Sequence, residues 1–314
     1  MVPGASASAQ ETIDHSLPPP PFLDRMQPFE AVQAANAGLQ IEVDRLAAEQ
    51  LADHRALGEL LAGIAPQRPG TVDAYVLVIA LDSDPVFARE ARQAAIVLER
   101  RYDAAGRSIM LAGPDGQAIG GLPRPTARGT PASLSIALAH IAATMDVEED
   151  VLVLFTTSHG TPNGLYYHYG DQGFGGLSPS RLRGIFDELG IENRLVIVNA
   201  CFSGIFVSGL SSDSSAIVSA ASAGLTSFGC SPGNDWTFFG DAFVNRALRQ
   251  PQPLGAAFEA ARELVGQWED EQGLPASQPK FSIGRGAIGW LSELESRMPR
   301  IATPPVGRSP AEEN

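Results

Sequence analysis

Two stretches constrain this chain more than any other. "DVLVLFTTSHG" spans 150–160 and "RLVIVNACFSG" spans 194–204. Each is an apolar, β-branched run that stops at a reactive side chain among small residues. Such runs read as strands buried on both faces of a parallel sheet. A sheet of that kind needs helices over both faces, so the two runs already select an α/β architecture. In open α/β sheets, chemistry collects at the carboxyl ends of the strands. His159–Gly160 and Ala200–Cys201 stand where those ends are expected. If the two strands are parallel neighbours, His159 and Cys201 emerge on one rim.

A thiol and an imidazole at adjacent strand ends point to nucleophilic catalysis by sulfur. The imidazole can promote thiolate formation or hand a proton to a leaving group. Gly160, Ala200, Ser203 and Gly204 leave room for a substrate backbone. The Gly160 and Cys201 amides can stabilise an oxyanion. The bland alternative is that Cys201 is a small buried hydrophobe and His159 an ordinary satisfied polar group. Their paired placement favours the functional reading.

The rest of the chain repeats the same alternation. "AYVLVIAL" (74–81) reads as a first core strand. Asp84 and Pro85 read as the cap and first position of a helix lined by Phe87, Ala91, Ala94, Leu98 and Tyr102. "RSIMLAG" (107–113) reads as a second strand, followed by an irregular loop. Thr130–Pro131 opens another helix. After the His strand, "TPNGLYYHYGDQGFGG" reads as a hairpin-like excursion over the rim. Ser178–Pro179 caps a helix that Gly190 ends. "SGLSSDSS" (208–215) reads as a flexible loop and 216–222 as a strand. Residues 238–249 and 253–270 read as helices, and "KFSIG" as a last short strand. The expected organisation is a disordered tail over 1–26, a helical appendage over 27–66, a main domain over 67–296 and a disordered tail over 297–314.

"TSHG", then "NACFSG", "TSFGC" and "FFGDAF", resemble the legumain-type cysteine peptidases in their bacterial form, within the wider group of caspases, gingipains and separase. The resemblance runs from about Tyr75 to about Trp290. It implies a caspase-like three-layer sandwich, with a mostly parallel central sheet and helices on both faces. It implies a cysteine endopeptidase in which Cys201 forms a thioester and His159 is the general acid and base. Gly160 and the Cys201 amide then supply the oxyanion donors. Ser227 and Asp241 match positions of the pocket that selects Asn, and sometimes Asp, before the cleaved bond. Two departures weaken that preference. Phe202 stands where eukaryotic legumains place an acidic residue after the nucleophile, and "PVFAREAR" offers only Arg89 for their Arg-His pair. Asp82 or Asp84 can orient His159, although capping explains Asp84 equally well. Asp241 can likewise cap a helix instead of lining the pocket. A transamidase or peptide ligase would use the same thioester, and a silent caspase-like binding protein is the reading outside enzymes.

Composition narrows the partners. The net charge is −14 and no basic stripe is visible, which argues against nucleic acid. No apolar run approaches the ~20 residues of a membrane-spanning helix. The only cysteines are Cys201 and Cys230. A disulfide between them would consume the nucleophile, so both are read as free, and no Cys/His spacing suggests zinc. Thiol chemistry implies no cofactor; the expected partner is a polypeptide substrate. Ala7-Ser8-Ala9 before Gln10 resembles a signal-peptidase site, without the basic segment and apolar core of a full signal peptide. That leans toward an exported protein; a plain Ala/Ser tail on a cytoplasmic one is the alternative.

Overall fold

The computed structural model describes residues 27–112 and 126–312. The expected N-terminal tail and most of the loop after residue 112 lie outside the described residues. In chain order the elements are α1 (Pro28–Ala37), β1 (Gln40–Glu42), α2 (Ala47–Ala62), β2 (Ala74–Ala80), α3 (Pro85–Arg101), β3 (Ser108–Leu111), α4 (Pro131–Thr144) and β4 (Val151–Thr157). They continue as β5 (Gly160–Thr161), β6 (Gly164–Tyr169), β7 (Gly173–Leu177), α5 (Pro179–Leu189), β8 (Arg194–Asn199), α6 (Gly204–Leu210) and β9 (Ser215–Ser219). A π-helical turn over Gly240–Arg246 follows, then α7 (Leu254–Glu271), β10 (Lys280–Ile283) and α8 (Ala287–Ser296).

Six strands form the central sheet in the order β10-β9-β8-β4-β2-β3. All its pairings are parallel except β10 with β9. Every residue of β2, β4, β8 and β9 is buried, as the unbroken apolar runs require. Strand periodicity then sorts the side chains into two cores. Val76 and Val78 of β2 join α3, the π-helical turn, α7 and α8 on one face. Tyr75, Leu77 and Ile79 join α4, α5 and α6 on the other. The result is the three-layer, mostly parallel α/β sandwich anticipated from the sequence.

The chain leaves β2 through α3 to β3 at the edge, then returns through α4 to β4 on the other side of β2. This reversal puts the topological switch point between the carboxyl ends of β2 and β4. The excursion after β4 is the expected hairpin. Its strands form a second sheet with the order β1-β7-β6-β5.

Three expectations are revised, and one unassigned stretch gains a helix. The 27–64 region holds two helices with β1 between them, and β1 covers the edge of β7. Residues 208–215 are not all loop, since α6 runs to Leu210 and β9 begins at Ser215. A helix, α8, follows the last strand. The C-terminal segment is ordered up to its last described residues. Trp236 Nε1 donates to Val306 O at 2.8 Å, and Asn245 exchanges hydrogen bonds with the Val306 backbone. Its Pro/Gly composition reads as a tail because these partners lie far away in sequence. Among the described residues no helix is long and apolar enough to cross a membrane.

Candidate active site

The site begins with strand register. β4 and β8 are parallel neighbours, and Thr157 pairs with Asn199. His159 follows the first of these partners by two residues and Cys201 follows the second by two. The two side chains therefore leave the sheet at the same level, from adjacent strands. Ser158 N donates to Asn199 O at 3.3 Å, so the pairing continues toward the rim. The hairpin holds the next residue, with Tyr166 N donating to His159 O at 2.9 Å.

Gly160 closes the gap between the two chain segments. A Cβ on it would lie 1.9 Å from Cys201 O and 3.1 Å from the Ala200 Cβ. Only glycine lets the backbone after the imidazole pass this close to the thiol residue. On the far side of Cys201 the chain turns sharply. Phe202 has φ +58°, a left-handed conformation that a bulky side chain rarely adopts. Strain of this kind persists where the surroundings over-determine it, and it gathers at functional sites. Here Phe202 N donates to Leu225 O at 2.8 Å, and the turn leads directly into α6.

The thiol is half-buried and free, and so is that of Cys230. Ser227 embraces Cys201: its N–H donates to Sγ at 3.4 Å, Sγ donates to its carbonyl at 3.5 Å, and its Oγ lies 3.9 Å from Sγ. Ser227 thus stands beside the sulfur. Asp241 is already paired. It is 0% exposed, with Asn245 Nδ2 donating to Oδ1 at 2.6 Å and Arg246 Nε to Oδ2 at 3.2 Å.

Helix α3 surrounds the imidazole. Asp84 Oδ2 lies 3.7 Å from His159 Nε2. The Asp84 side chain makes no capping hydrogen bond to α3, and its Oδ1 is buried without a partner. The carboxylate therefore faces the imidazole instead of its own helix. Phe87, one turn on, meets the imidazole edge-on at 5.0 Å. Asp82 instead accepts from Asp84 N at 2.9 Å and sits 3.4 Å from His168 Nδ1. Burial alone would lower the His159 pKa; Asp84, the Cys230 sulfur and the charge of Asp82 outweigh it and push it up to about 10. The imidazole side chain is still 41% exposed. Such a group is an imidazolium at neutral pH, suited to giving a proton to a departing amine.

Two features escaped sequence reasoning. Arg89 is closed off as a substrate contact. Its guanidinium donates to Asn234 O and Pro232 O at 2.5 Å each, pinning the loop that carries Cys230 to α3. Glu90, also on α3, is wholly buried beneath the ends of both strands.

Residues 135–289 match the family described as Peptidase C13 family. That span includes His159, Gly160, Cys201, Ser227 and Asp241. Among solved structures, the crystal structure of caspase-1 from Spodoptera frugiperda aligns over 70% of this chain and 93% of its own, at 12% identity and a TM-score of 0.45. Comparison with curated proteins gives no match. The matched segment is just under half of the chain; it holds both strand ends that build the site and is similar to the peptidase C13 family, the family of legumain.

Proposed function

We propose that the protein is a cysteine endopeptidase with Cys201 as nucleophile and His159 as general acid and base. One observation carries this reading. Equal register offsets on β4 and β8 deliver a free thiol and an imidazole to one rim, with Gly160 seated against the Cys201 carbonyl. The likeness of residues 135–289 to the peptidase C13 family supports the coarser class, a cysteine peptidase acting on polypeptides.

In the reaction, Cys201 loses its proton to water and, as a thiolate beside the His159 imidazolium, attacks the carbonyl carbon of the scissile peptide bond. The resulting oxyanion takes hydrogen bonds from the Gly160 and Cys201 amides. Collapse expels the amine, which takes its proton from the His159 imidazolium. Water then attacks the thioester, with the imidazole now accepting a proton, and releases the acid. Asp84 holds the imidazole and balances its charge.

Specificity follows from the wall beside Sγ. Ser227 meets the side chain before the cleaved bond. Asp241 can accept the amide hydrogens of an Asn side chain only if Arg246, whose side chain is 37% exposed, swings off it. Preference for Asn or Asp thus depends on breaking an ion pair.

Incubating a peptide library with wild type and with Cys201→Ala, and sequencing the cleaved bonds, tests the assignment. Wild type cleaves a defined set of bonds and the variant cleaves none of them. The same bonds cut by both proteins, or no cleavage by wild type, would overturn it.

A further inference from the structure

Among the described residues, Glu90 is the one carboxyl group the reaction above leaves unused that hydrogen-bonds to both reactive strands. It is 0% exposed. Its Oε2 accepts from Thr157 Oγ1 at 2.5 Å and from Asn199 Nδ2 at 2.6 Å. Its Oε1 accepts from Thr237 Oγ1 at 2.8 Å and from Thr237 N at 3.2 Å. Thr157 ends β4 two residues before His159, and Asn199 ends β8 two residues before Cys201. Thr237 in turn starts the π-helical turn, accepting from Gly240 N at 3.0 Å and from Asp241 N at 2.9 Å. Asn199 Nδ2 also donates to Thr237 Oγ1 at 2.9 Å, which closes the ring of contacts.

A carboxyl group in such a place is costly, because burial disfavours its charge and pushes its pKa up. Four donors offset that cost. The cradle is cut to fit: a Cβ on Gly240 would lie 1.7 Å from Glu90 Oε1. A packed apolar side chain would fill the same volume without needing these partners. Holding strand ends at a fixed separation is what a carboxyl group does here and an apolar side chain cannot.

We propose that Glu90 is a positioning residue of the thiol site, locking the ends of β4 and β8 to each other and to the π-helical turn and so setting the spacing of His159 from Cys201. The proposal rests on the reading of those two residues as the reacting pair. Asp84, Phe87 and Glu90 then act as one stripe of α3. The first balances the imidazolium, the second walls it, and the third fixes the strands that carry both reactants.

The test uses the full chain with Glu90→Gln and Thr157→Val. Glutamine keeps the size of Glu90 but turns an NH2 toward groups that must donate, either Asn199 Nδ2 or Thr237 N. Valine removes one donor to Oε2 and keeps the strand's volume. Three quantities are read: kcat and KM on a cleaved peptide, the thermal midpoint, and the pH profile of alkylation by iodoacetamide at the Cys201 peptide, located by mass spectrometry. Glu90→Gln folds, loses kcat by roughly ten- to a hundredfold with little change in KM, and shifts the alkylation profile along the pH axis. Thr157→Val moves both in the same direction by less. A merely structural Glu90 would lower the midpoint and leave the alkylation profile of the folded protein unmoved, and that result overturns the proposal. So does wild-type kcat in both variants. If Glu90→Gln does not fold, Thr157→Val decides by the same criteria. If wild type cleaves no peptide, the peptidase reading fails by itself, and the alkylation profile still judges Glu90.

Discussion

The His159 imidazole carries the clearest electrostatic signature in the site, and its consequence can be read with its sign. Its pKa rises from the ordinary 6.5 to about 10, with Asp84 and Cys230 outweighing burial. Between those values the folded chain holds a proton that the unfolded chain releases. This group's stabilisation is therefore full below about pH 6.5 and is lost as pH rises through about 10. The wild-type thermal midpoint should fall across that window by an increment that His159→Asn lacks, and Asp84→Asn should shrink it. Midpoints of wild type and His159→Asn that run parallel from pH 7 to pH 10 would remove the ion pair from the account. At this scale the sequence was informative where chemistry follows an apolar run, as at His159 and Cys201. Ser227 needed the family likeness. Glu90 was hidden for a physical reason: a charged residue at the margin of the Phe87–Ala91–Ala94–Leu98 stripe reads as solvent-facing. Its burial exists only once β4, β8 and the π-helical turn close over it. The signal available was its spacing, three residues after Phe87, on the edge of the inner face.

Elements convert that chemistry into geometry. β4 and β8 were legible because a strand covered on both faces must be apolar throughout, and α3 because Asp84–Pro85 marks its start. Short or irregular elements were not. The three residues of β1 have no periodicity to detect and depend on the edge of β7. The π-helical turn depends on tertiary contacts such as Thr237 and Asn245, which a 3.6-residue pattern does not encode. α8 did carry a legible pattern, with Ala287, Trp290, Leu291 and Leu294 buried. Where β4 meets the hairpin, Gly160 packs directly against the Cys201 carbonyl. Replacing it by alanine drives a methyl group against the Cys201 carbonyl, and the strand ends must part. Gly160→Ala is expected to cost about 1–3 kcal/mol in stability, the usual cost of overpacking. It should lower kcat/KM more than the loss of folded protein explains. Chemical denaturation alongside steady-state kinetics checks both, and an unchanged midpoint with unchanged kcat/KM would mean that the close approach does not matter.

For the whole molecule, the question is how far the site depends on segments outside the central sandwich. The appendage is stitched in. β1 extends the hairpin sheet, Tyr167 Oη donates to Glu42 at 2.6 Å, and Arg128 pairs with Glu42 at 3.0 Å. The C-terminal segment is closer still to the chemistry. Val306 exchanges hydrogen bonds with Asn245, which also donates to Asp241. Arg308 N donates to Asp235 Oδ2 at 2.9 Å, in the loop that also carries Cys230 and is pinned by Arg89. Val306, Arg308 and their partners therefore brace the π-helical turn and the pocket loop from behind. Deleting residues 300–314 removes several part-buried hydrogen bonds, leaves Trp236 Nε1 without its acceptor Val306 O and strips Asn245 of both its bonds to Val306. At about 1 kcal/mol for each bond, the loss is on the order of 2–4 kcal/mol. That corresponds to a fall in midpoint of about 5–10 °C. The pocket loop should loosen first, so Cys230 should become more reactive toward alkylation before the sandwich unfolds. Hydrogen exchange resolved by peptide would show protection lost over 225–246 and kept in β2, β4 and β8. Uniform loss across the sheet, or no change in the loop, would show that this segment does not hold the site.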